Sequence, residues 1–163
     1  MQVTLGRKGD YAVRAMIALA RAEGERRKVR QIASTMDIPA RYLPQIVAPL
    51  VKAGLVQATA GPDGGYALAR DAGEITLLEV VELSEGPLAG DRCMLAGGPC
   101  DWGPVCPAHD TWSRAYEALA AELRRTTFAD LARIDALIEA GRFPVAGRKL
   151  HSTPVERRGV REA

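Results

Sequence analysis

The sequence has little that would place it in or across a membrane. Its longest uninterrupted apolar run, residues 15–20, is six residues long, whereas a membrane-spanning helix needs about twenty. The first residues also lack the apolar core and the small-residue cleavage site of a signal peptide. We therefore expect a cytoplasmic protein that has no membrane partner.

Aromatic residues are also scarce, at 5% of the 163 residues, so the core has to be filled by Leu, Val, Ile and Ala. Hydrophobic residues make up 47% of the chain and charged residues 26%, which is an ordinary globular composition. These proportions exclude a wholly disordered or collagen-like chain. The length suits one domain of the usual size.

The formal net charge of +2 conceals an uneven distribution of charge. Residues 1–70 carry eleven Lys or Arg and five Asp or Glu, a net charge of +6. The net charge is −7 over residues 71–142 and +3 over residues 143–163. A basic first half joined to an acidic second half indicates a module that binds a polyanion, such as nucleic acid, followed by a different module.

Hydrophobic periodicity predicts a mainly α-helical fold with one small β-hairpin. The predicted helices cover residues 7–22, 29–36, 40–53, a segment that begins after Thr76 and ends by Gly86, a segment opened by Pro107, and about 128–140. Thr76 and Thr127 are the predicted N-terminal caps of the fourth and the last of these helices. Two alternating segments, 55–59 and 66–70, flank a Gly/Pro/Asp cluster that is typical of a hairpin turn. Helix, short helix, turn, helix and hairpin is the order of a winged helix-turn-helix.

The predicted elements divide the chain into four parts. Residues 1–86 form the winged-helix DNA-binding domain, and residues 87–109 form a loop that contains every cysteine. Residues 110–142 hold C-terminal helices expected to mediate dimerisation, and residues 143–163 form a flexible basic tail. The long helix has an apolar stripe that either pairs with its copy or packs within one chain. The residues expected at the dimer interface are Trp112, Tyr116, Leu119 and Leu123.

The third predicted helix is the second helix of the helix-turn-helix. It is therefore the expected recognition helix, which enters the major groove. Leu43 belongs to its buried stripe, which leaves Arg41, Tyr42 and Gln45 as candidates for contact with the bases. Arginine pairs well with guanine and glutamine with adenine, and the winged-helix order favours base contact over the alternative of solvated polar residues. The candidates for contact with the DNA backbone are Arg7, Lys8, Gly64 and Gly65.

The three cysteines, Cys93, Cys100 and Cys106, lie close together and His109 follows them. An odd number of clustered cysteines does not make a disulfide framework. Three sulfur ligands and an imidazole suit iron–sulfur or zinc. Structural zinc sites contain tight Cys-x2-Cys pairs, which are absent, so the wider gaps favour a cluster. The other candidates for the fourth ligand are Asp91, Asp101 and Asp110.

Two rival functions use the same residues. In the first, zinc only holds the loop of a winged-helix DNA-binding protein that has no sensing role. In the second, Cys106 and His109 are the nucleophile and base of an enzyme. The sequence shows no oxyanion hole or substrate pocket, so we expect that the protein is not an enzyme.

Several motifs together resemble the IscR-type iron–sulfur transcription regulators, whose relatives include NsrR and CymR. The motifs are GDYAVRAM at 9–16, YLPQ at 42–45, GPDGGY at 61–66, and Cys93, Cys100, Cys106, His109 and Trp112. The resemblance implies a homodimeric winged-helix repressor or activator whose long helix after the cysteines forms the interface. Such a dimer reads a near-palindromic site in double-stranded DNA. The three cysteines and the histidine that hold a 2Fe–2S centre in IscR match Cys93, Cys100, Cys106 and His109.

The sequence departs from these relatives at a few positions. NsrR holds a 4Fe–4S centre with an N-terminal aspartate, and Lys8 at the matching position cannot be that ligand, so the resemblance favours 2Fe–2S although 4Fe–4S stays possible. The gap between Cys93 and Cys100 is six residues, where IscR has five. Ala60 and Pro44 replace an arginine and a glutamate of IscR, so the operator sequence does not carry over. We expect DNA binding to respond to iron–sulfur status, redox state or nitric oxide.

Overall fold

The computed structural model describes residues 5–88 and 106–143, which form six helices and one antiparallel pair of strands. The elements in chain order are α1 (Arg7–Ala20), α2 (Val29–Met36), α3 (Leu43–Lys52), β1 (Val56–Thr59), β2 (Gly65–Leu68), α4 (Leu77–Glu85), α5 (His109–Arg125) and α6 (Phe128–Glu139). This order confirms the predicted winged-helix fold. None of the described helices is long and apolar enough to span a membrane. Cys93, Cys100 and the predicted tail lie outside the described residues.

Helix α1 lies at the centre of the fold and packs against α2, α3, α4 and α6. Ala12, Ala15, Met16 and Leu19 recur at spacings of three and four, and each is at most 1% exposed. Small alanine side chains let the neighbouring helices approach α1 closely. A core with few aromatic residues is built in this way, and burial of its apolar surface is the main stabilising contribution.

Helix α3 begins at Leu43, three residues later than predicted, and ends at Lys52. Proline is tolerated in the first turn of a helix, but further in it lacks an N–H donor and its ring clashes with the carbonyl four residues earlier. A helix beginning at Ala40 would place Pro44 in its fifth position, whereas the observed start places Pro44 second. Arg41 and Tyr42 therefore lie in the turn before α3 and not within it.

The hairpin forms the predicted wing, and a third segment pairs with it. Strands β1 and β2 are antiparallel, with Val56 opposite Leu68. On the other edge of β2, the Arg27 N–H donates to the Tyr66 carbonyl at 2.8 Å and the Tyr66 N–H donates to the Arg27 carbonyl at 2.9 Å. A Cβ at Gly65 would lie 2.7 Å from that Arg27 oxygen, so glycine is required for this close approach. These hydrogen bonds hold the wing against Arg27, in the segment just before α2.

Helix α4 and helix α6 begin with the threonine caps that the sequence predicts. The Thr76 hydroxyl accepts the Glu79 N–H at 3.2 Å. The Thr127 hydroxyl accepts the Asp130 N–H at 3.2 Å, and the Asp130 carboxylate accepts the Thr127 hydroxyl at 2.8 Å. The Thr127 hydroxyl and the Thr127 N–H both donate to the Asp130 carboxylate and lower the pKa of Asp130, because they stabilise its ionised form. Each cap satisfies backbone donors that the first turn leaves open.

Helix α6 returns to the DNA-binding domain and completes its core. Phe128 is 0% exposed, and its N–H donates to the Ile75 carbonyl at 3.0 Å. Arg21 at the end of α1 donates to Asp135 at 2.8 Å and also to Glu139, and the hydrogen bond with Glu139 raises the pKa of Arg21. The segment that the sequence assigned to dimerisation therefore joins two different helices. Helix α6 packs with the winged helix, which leaves α5 as the candidate for dimerisation.

Candidate nucleic-acid interface and metal ligands

Helix α3 has one buried side and one exposed side. The buried residues are Leu43, Ile46, Val47 and Leu50. The exposed residues include Pro44, Gln45, Ala48 and Lys52. Neither α2 nor α3 contains an acidic residue. An exposed helix side without negative charge is suited to approach the phosphates and base edges of DNA.

Arg41 and Tyr42 are held together just before α3. The Arg41 guanidinium donates to the Tyr42 hydroxyl at 3.0 Å, and its central carbon lies 4.7 Å from the centre of the Tyr42 ring. This is a cation–π contact that orients the guanidinium. Both residues are exposed, and Gln45 is exposed in the first turn of α3. The three predicted base-contact residues thus lie at the end of α3 that a helix-turn-helix inserts into the major groove.

The two wing glycines have a structural role that does not depend on DNA. Gly64 is buried, and its N–H donates to the Gly61 carbonyl at 3.0 Å within the turn. A Cβ at Gly64 would lie 2.2 Å from the Thr59 carbonyl oxygen, so no other residue fits this conformation. Gly64 and Gly65 allow the wing to close, and their contact with the DNA backbone stays a prediction.

The start of α1 carries Arg7 and Lys8, which are both exposed. Cations at a helix N-terminus oppose the helix dipole, so these two residues do not stabilise α1. The carboxylate of Glu85, the last residue of α4, accepts the Gly9 N–H at 2.9 Å. A Cβ at Gly9 would lie 2.5 Å from that carboxylate, which explains the glycine inside a helix. The end of α4 thus fixes the part of α1 that carries the two cations.

Reasoning from the sequence missed a basic segment that runs from the loop after α1 into the first turn of α2. Arg26, Lys28 and Arg30 are exposed there, and Arg27 is half-buried. Four cations in five positions are visible in the sequence itself. A run of this kind is usually a solvated surface, and only its place beside the wing makes it a candidate for DNA contact.

Two of the predicted metal ligands lie at the start of α5. His109 is the first residue of this helix, and its N–H donates to the Cys106 carbonyl at 3.1 Å. Cys106 is half-buried, whereas His109 and Asp110 are exposed. A thiol and an imidazole at one helix end fit iron or zinc as two of its ligands. No three potential metal ligands come together among residues 5–88 and 106–143, and the other two predicted ligands lie beyond these ranges.

Helix α5 has 17 residues, and none of them is buried. Its predicted stripe is half-buried, since α5 packs against α4. The stripe residues are Trp112, Tyr116, Leu119 and Leu123. In ordinary globular helices the apolar side is buried against the core. Helix α5 therefore keeps apolar surface that a further partner would cover.

Comparison with known families decides the class of the protein. Residues 5–134 match the family Rrf2, described as "Iron-dependent Transcriptional regulator". The chain belongs to the Rrf2 family. This membership confirms the resemblance to IscR-type regulators and makes the protein a DNA-binding transcriptional regulator and not an enzyme.

The relatives of this Rrf2 protein share both sequence and fold with it. IscR of Klebsiella pneumoniae is 34% identical over 143 residues, covering 87% of this chain and 84% of that protein. The structure of CymR, the global cysteine regulator of B. subtilis, is 32% identical, covers 81% of this chain and 98% of that chain, and has a TM-score of 0.69. T. potens IscR is 29% identical, covers 83% and 90%, and has a TM-score of 0.65. Both structures support the winged-helix fold.

Proposed function

We propose that this Rrf2 regulator is a cytoplasmic homodimer that reads a near-palindromic DNA site and senses iron–sulfur status, redox state or nitric oxide. Its cofactor is a 2Fe–2S cluster held by Cys93, Cys100, Cys106 and His109. One observation carries the proposal. Cys106 lies just before α5 and His109 is the first residue of α5, a helix that has no buried residue. A ligand-bearing helix end is thus joined to the surface available for dimerisation.

The dimer follows from the exposed character of α5. An isolated helix of this length gains little stability from its own hydrogen bonds and depends on packing of its apolar face. The described part of the chain covers that face only partly, through α4. A second copy across a two-fold axis supplies the missing cover with the same residues on both sides. The two α3 helices then read two half-sites about one DNA turn, or a small multiple, apart.

A continuous path of packed helices leads from the metal ligands to the DNA-reading surface. Helix α5 packs against α4, and α4 packs against both α1 and α3. The carboxylate of Glu85 also fixes the first turn of α1 through the Gly9 N–H. When bound, the cluster supplies an iron centre that oxidants, nitric oxide or iron shortage alter. Release of Cys106 and His109 frees the start of α5, which shifts the balance between conformations that differ in DNA affinity.

The metal content tests this proposal directly. Protein purified without oxygen is expected to be coloured and to contain iron and acid-labile sulfide in equal amounts, about two of each per chain for a 2Fe–2S centre. The measurement is a visible spectrum together with counts of iron, zinc and sulfide. Colourless protein with about one zinc per chain would instead support the structural zinc site and overturn the sensing role.

Variants at the start of α5 sharpen the same test. Cys106→Ala and His109→Ala are each expected to weaken or abolish the chromophore and the response of DNA binding to oxygen. Asp110→Ala is the matched control, because Asp110 is the exposed neighbour of His109 on the same turn. A chromophore that disappears in Asp110→Ala but persists in His109→Ala would identify the aspartate as the fourth ligand.

The reading residues give a second prediction. Replacing Arg41 and Gln45 together by alanine is expected to remove about 1–3 kcal/mol of discrimination for each side chain that pairs with a base. The measurement is the ratio of affinities for a site selected by the wild type from random DNA and for a scrambled site. Lys52→Ala, at the other end of α3, is expected to keep this ratio. If the double variant also keeps it, the assigned reading surface is wrong.

A further inference from the structure

Three cations in the segment that joins α1 to the first turn of α2 have no ion-pair partner within the described part of the chain. Arg26, Lys28 and Arg30 are exposed, and no ion pair among the described residues includes them. Arg27 differs, since it is half-buried and lies 3.3 Å from the carboxylate of Glu25. The three exposed cations repel one another. No ion pair in residues 5–88 or 106–143 reduces this repulsion.

The backbone that carries these cations is fixed in place. Arg27 exchanges two hydrogen bonds with Tyr66 of β2, and Gly65 leaves room for its carbonyl. The cations on either side of Arg27 therefore lie at the junction between the wing and the start of α2. A fixed backbone lowers the entropy cost of bringing their side chains to a ligand.

The positive charge at this junction would attract an anion, but it opposes the dipole of α2. Lys28 is the N-cap residue of α2, and Arg30 lies in its first turn, which contains no acidic residue. Cations at a helix N-terminus oppose the helix dipole, so they do not serve to stabilise α2. A phosphate at this end would be attracted both by the cations and by the helix terminus. The Lys28 N–H is already bound to the Gln31 side chain at 2.8 Å, so the cations would make the contact.

We propose that Arg26, Lys28 and Arg30 bind phosphates of the DNA backbone beside the wing. These three side chains are called the phosphate clamp below. The inference rests on the proposed function, in which α3 enters the major groove. In a helix-turn-helix the first helix crosses the DNA backbone, and the clamp lies at the start of that helix. It contributes affinity that does not depend on the DNA sequence, and it does not read bases.

The dependence of DNA binding on salt tests the clamp. The variant R26Q/K28Q/R30Q is expected to bind the selected site and random DNA more weakly by the same factor. The slope of log affinity against log salt is expected to fall by about 0.9 for each phosphate that the variant no longer neutralises. The matched control is R114Q/R124Q/R125Q, which removes three exposed cations from α5. The control is expected to keep the wild-type slope.

Each other outcome of this experiment has a definite meaning. A wild type that binds no DNA would refute the proposed function itself and not the clamp alone. A clamp variant with the wild-type salt slope would overturn the clamp, and so would one that loses discrimination between sites. Thermal unfolding of both triple variants checks that they are folded. The single variant R26Q, at an exposed position, gives the same slope test should the triple variant unfold.

Discussion

Replacing Phe128 by alanine is expected to destabilise the protein by about 3–5 kcal/mol, because the change leaves a large cavity in the core. Phe128 is 0% exposed and belongs to the same buried cluster as Met16 and Leu19 of α1. Domains of this size are stable by about 5–15 kcal/mol, so the variant would lose much of its stability. A loss of this size would mean that α6 is part of the DNA-binding domain.

Urea unfolding followed by circular dichroism measures this loss. The variant and the wild type are compared at one protein concentration, since dimerisation makes the apparent stability depend on concentration. Ile138→Ala is the matched control on the same helix, because Ile138 is 50% exposed. It is expected to change the free energy of unfolding by about 0.5 kcal/mol or less. Equal effects of the two variants would mean that α6 does not contribute to the core.

Local patterns in the sequence were sufficient to predict most of the fold. Helix α2 has the predicted bounds, and the predicted caps at Thr76 and Thr127 are confirmed. Hydrophobic spacing and cap residues act within a few positions of each other, so they can be recognised without knowing the rest of the structure. The later start of α3 agrees with the preference for proline in the first turn of a helix, since it places Pro44 second, although α3 also contains Pro49 in its interior. The predicted start at Ala40 was wrong because it relied on the apolar stripe and not on the position of Pro44.

Contacts between distant segments could not be predicted from these patterns. The amphipathic spacing of α6 is the same whether the helix packs against α1 or against a second copy. Its place depends on Phe128 pairing with Ile75 and on Arg21 reaching Asp135. The contact between Gly9 and Glu85 is likewise invisible in the sequence, because 76 positions separate them. Such contacts depend on how the helices are arranged in space and not on local pattern.

The candidate site was predictable as a set of residue types but not as an arrangement. Exposed Gln45 and the contact between Arg41 and Tyr42 agree with a reading surface at the start of α3. The basic segment was overlooked because charge runs are common on surfaces, and only the pairing of Arg27 with β2 places it beside the wing. Composition identifies the ligand chemistry of such residues, whereas the fold determines which of them act together.

Placing a charge in the stripe of α5, by Leu119→Asp, is expected to convert the dimer to a monomer. A buried carboxylate without a partner is costly, and two-fold symmetry brings two of them into one interface. The monomer would bind one half-site, so affinity for the selected site is expected to fall by about 10²–10⁴-fold, because the second half-site is no longer tethered. The measurement is sedimentation equilibrium together with DNA binding. Folding should persist, since the buried core contains no residue of α5.

Ala118→Asp provides the matched control for this last prediction. It introduces the same side chain one position earlier, at an exposed residue outside the stripe, and is expected to leave the dimer and its DNA affinity unchanged. A wild type that is itself monomeric would mean that the stripe serves only to pack α5 against α4. Dimers that persist in Leu119→Asp would place the interface on another surface, and the path from Cys106 through α5 to the partner would then lack its physical basis.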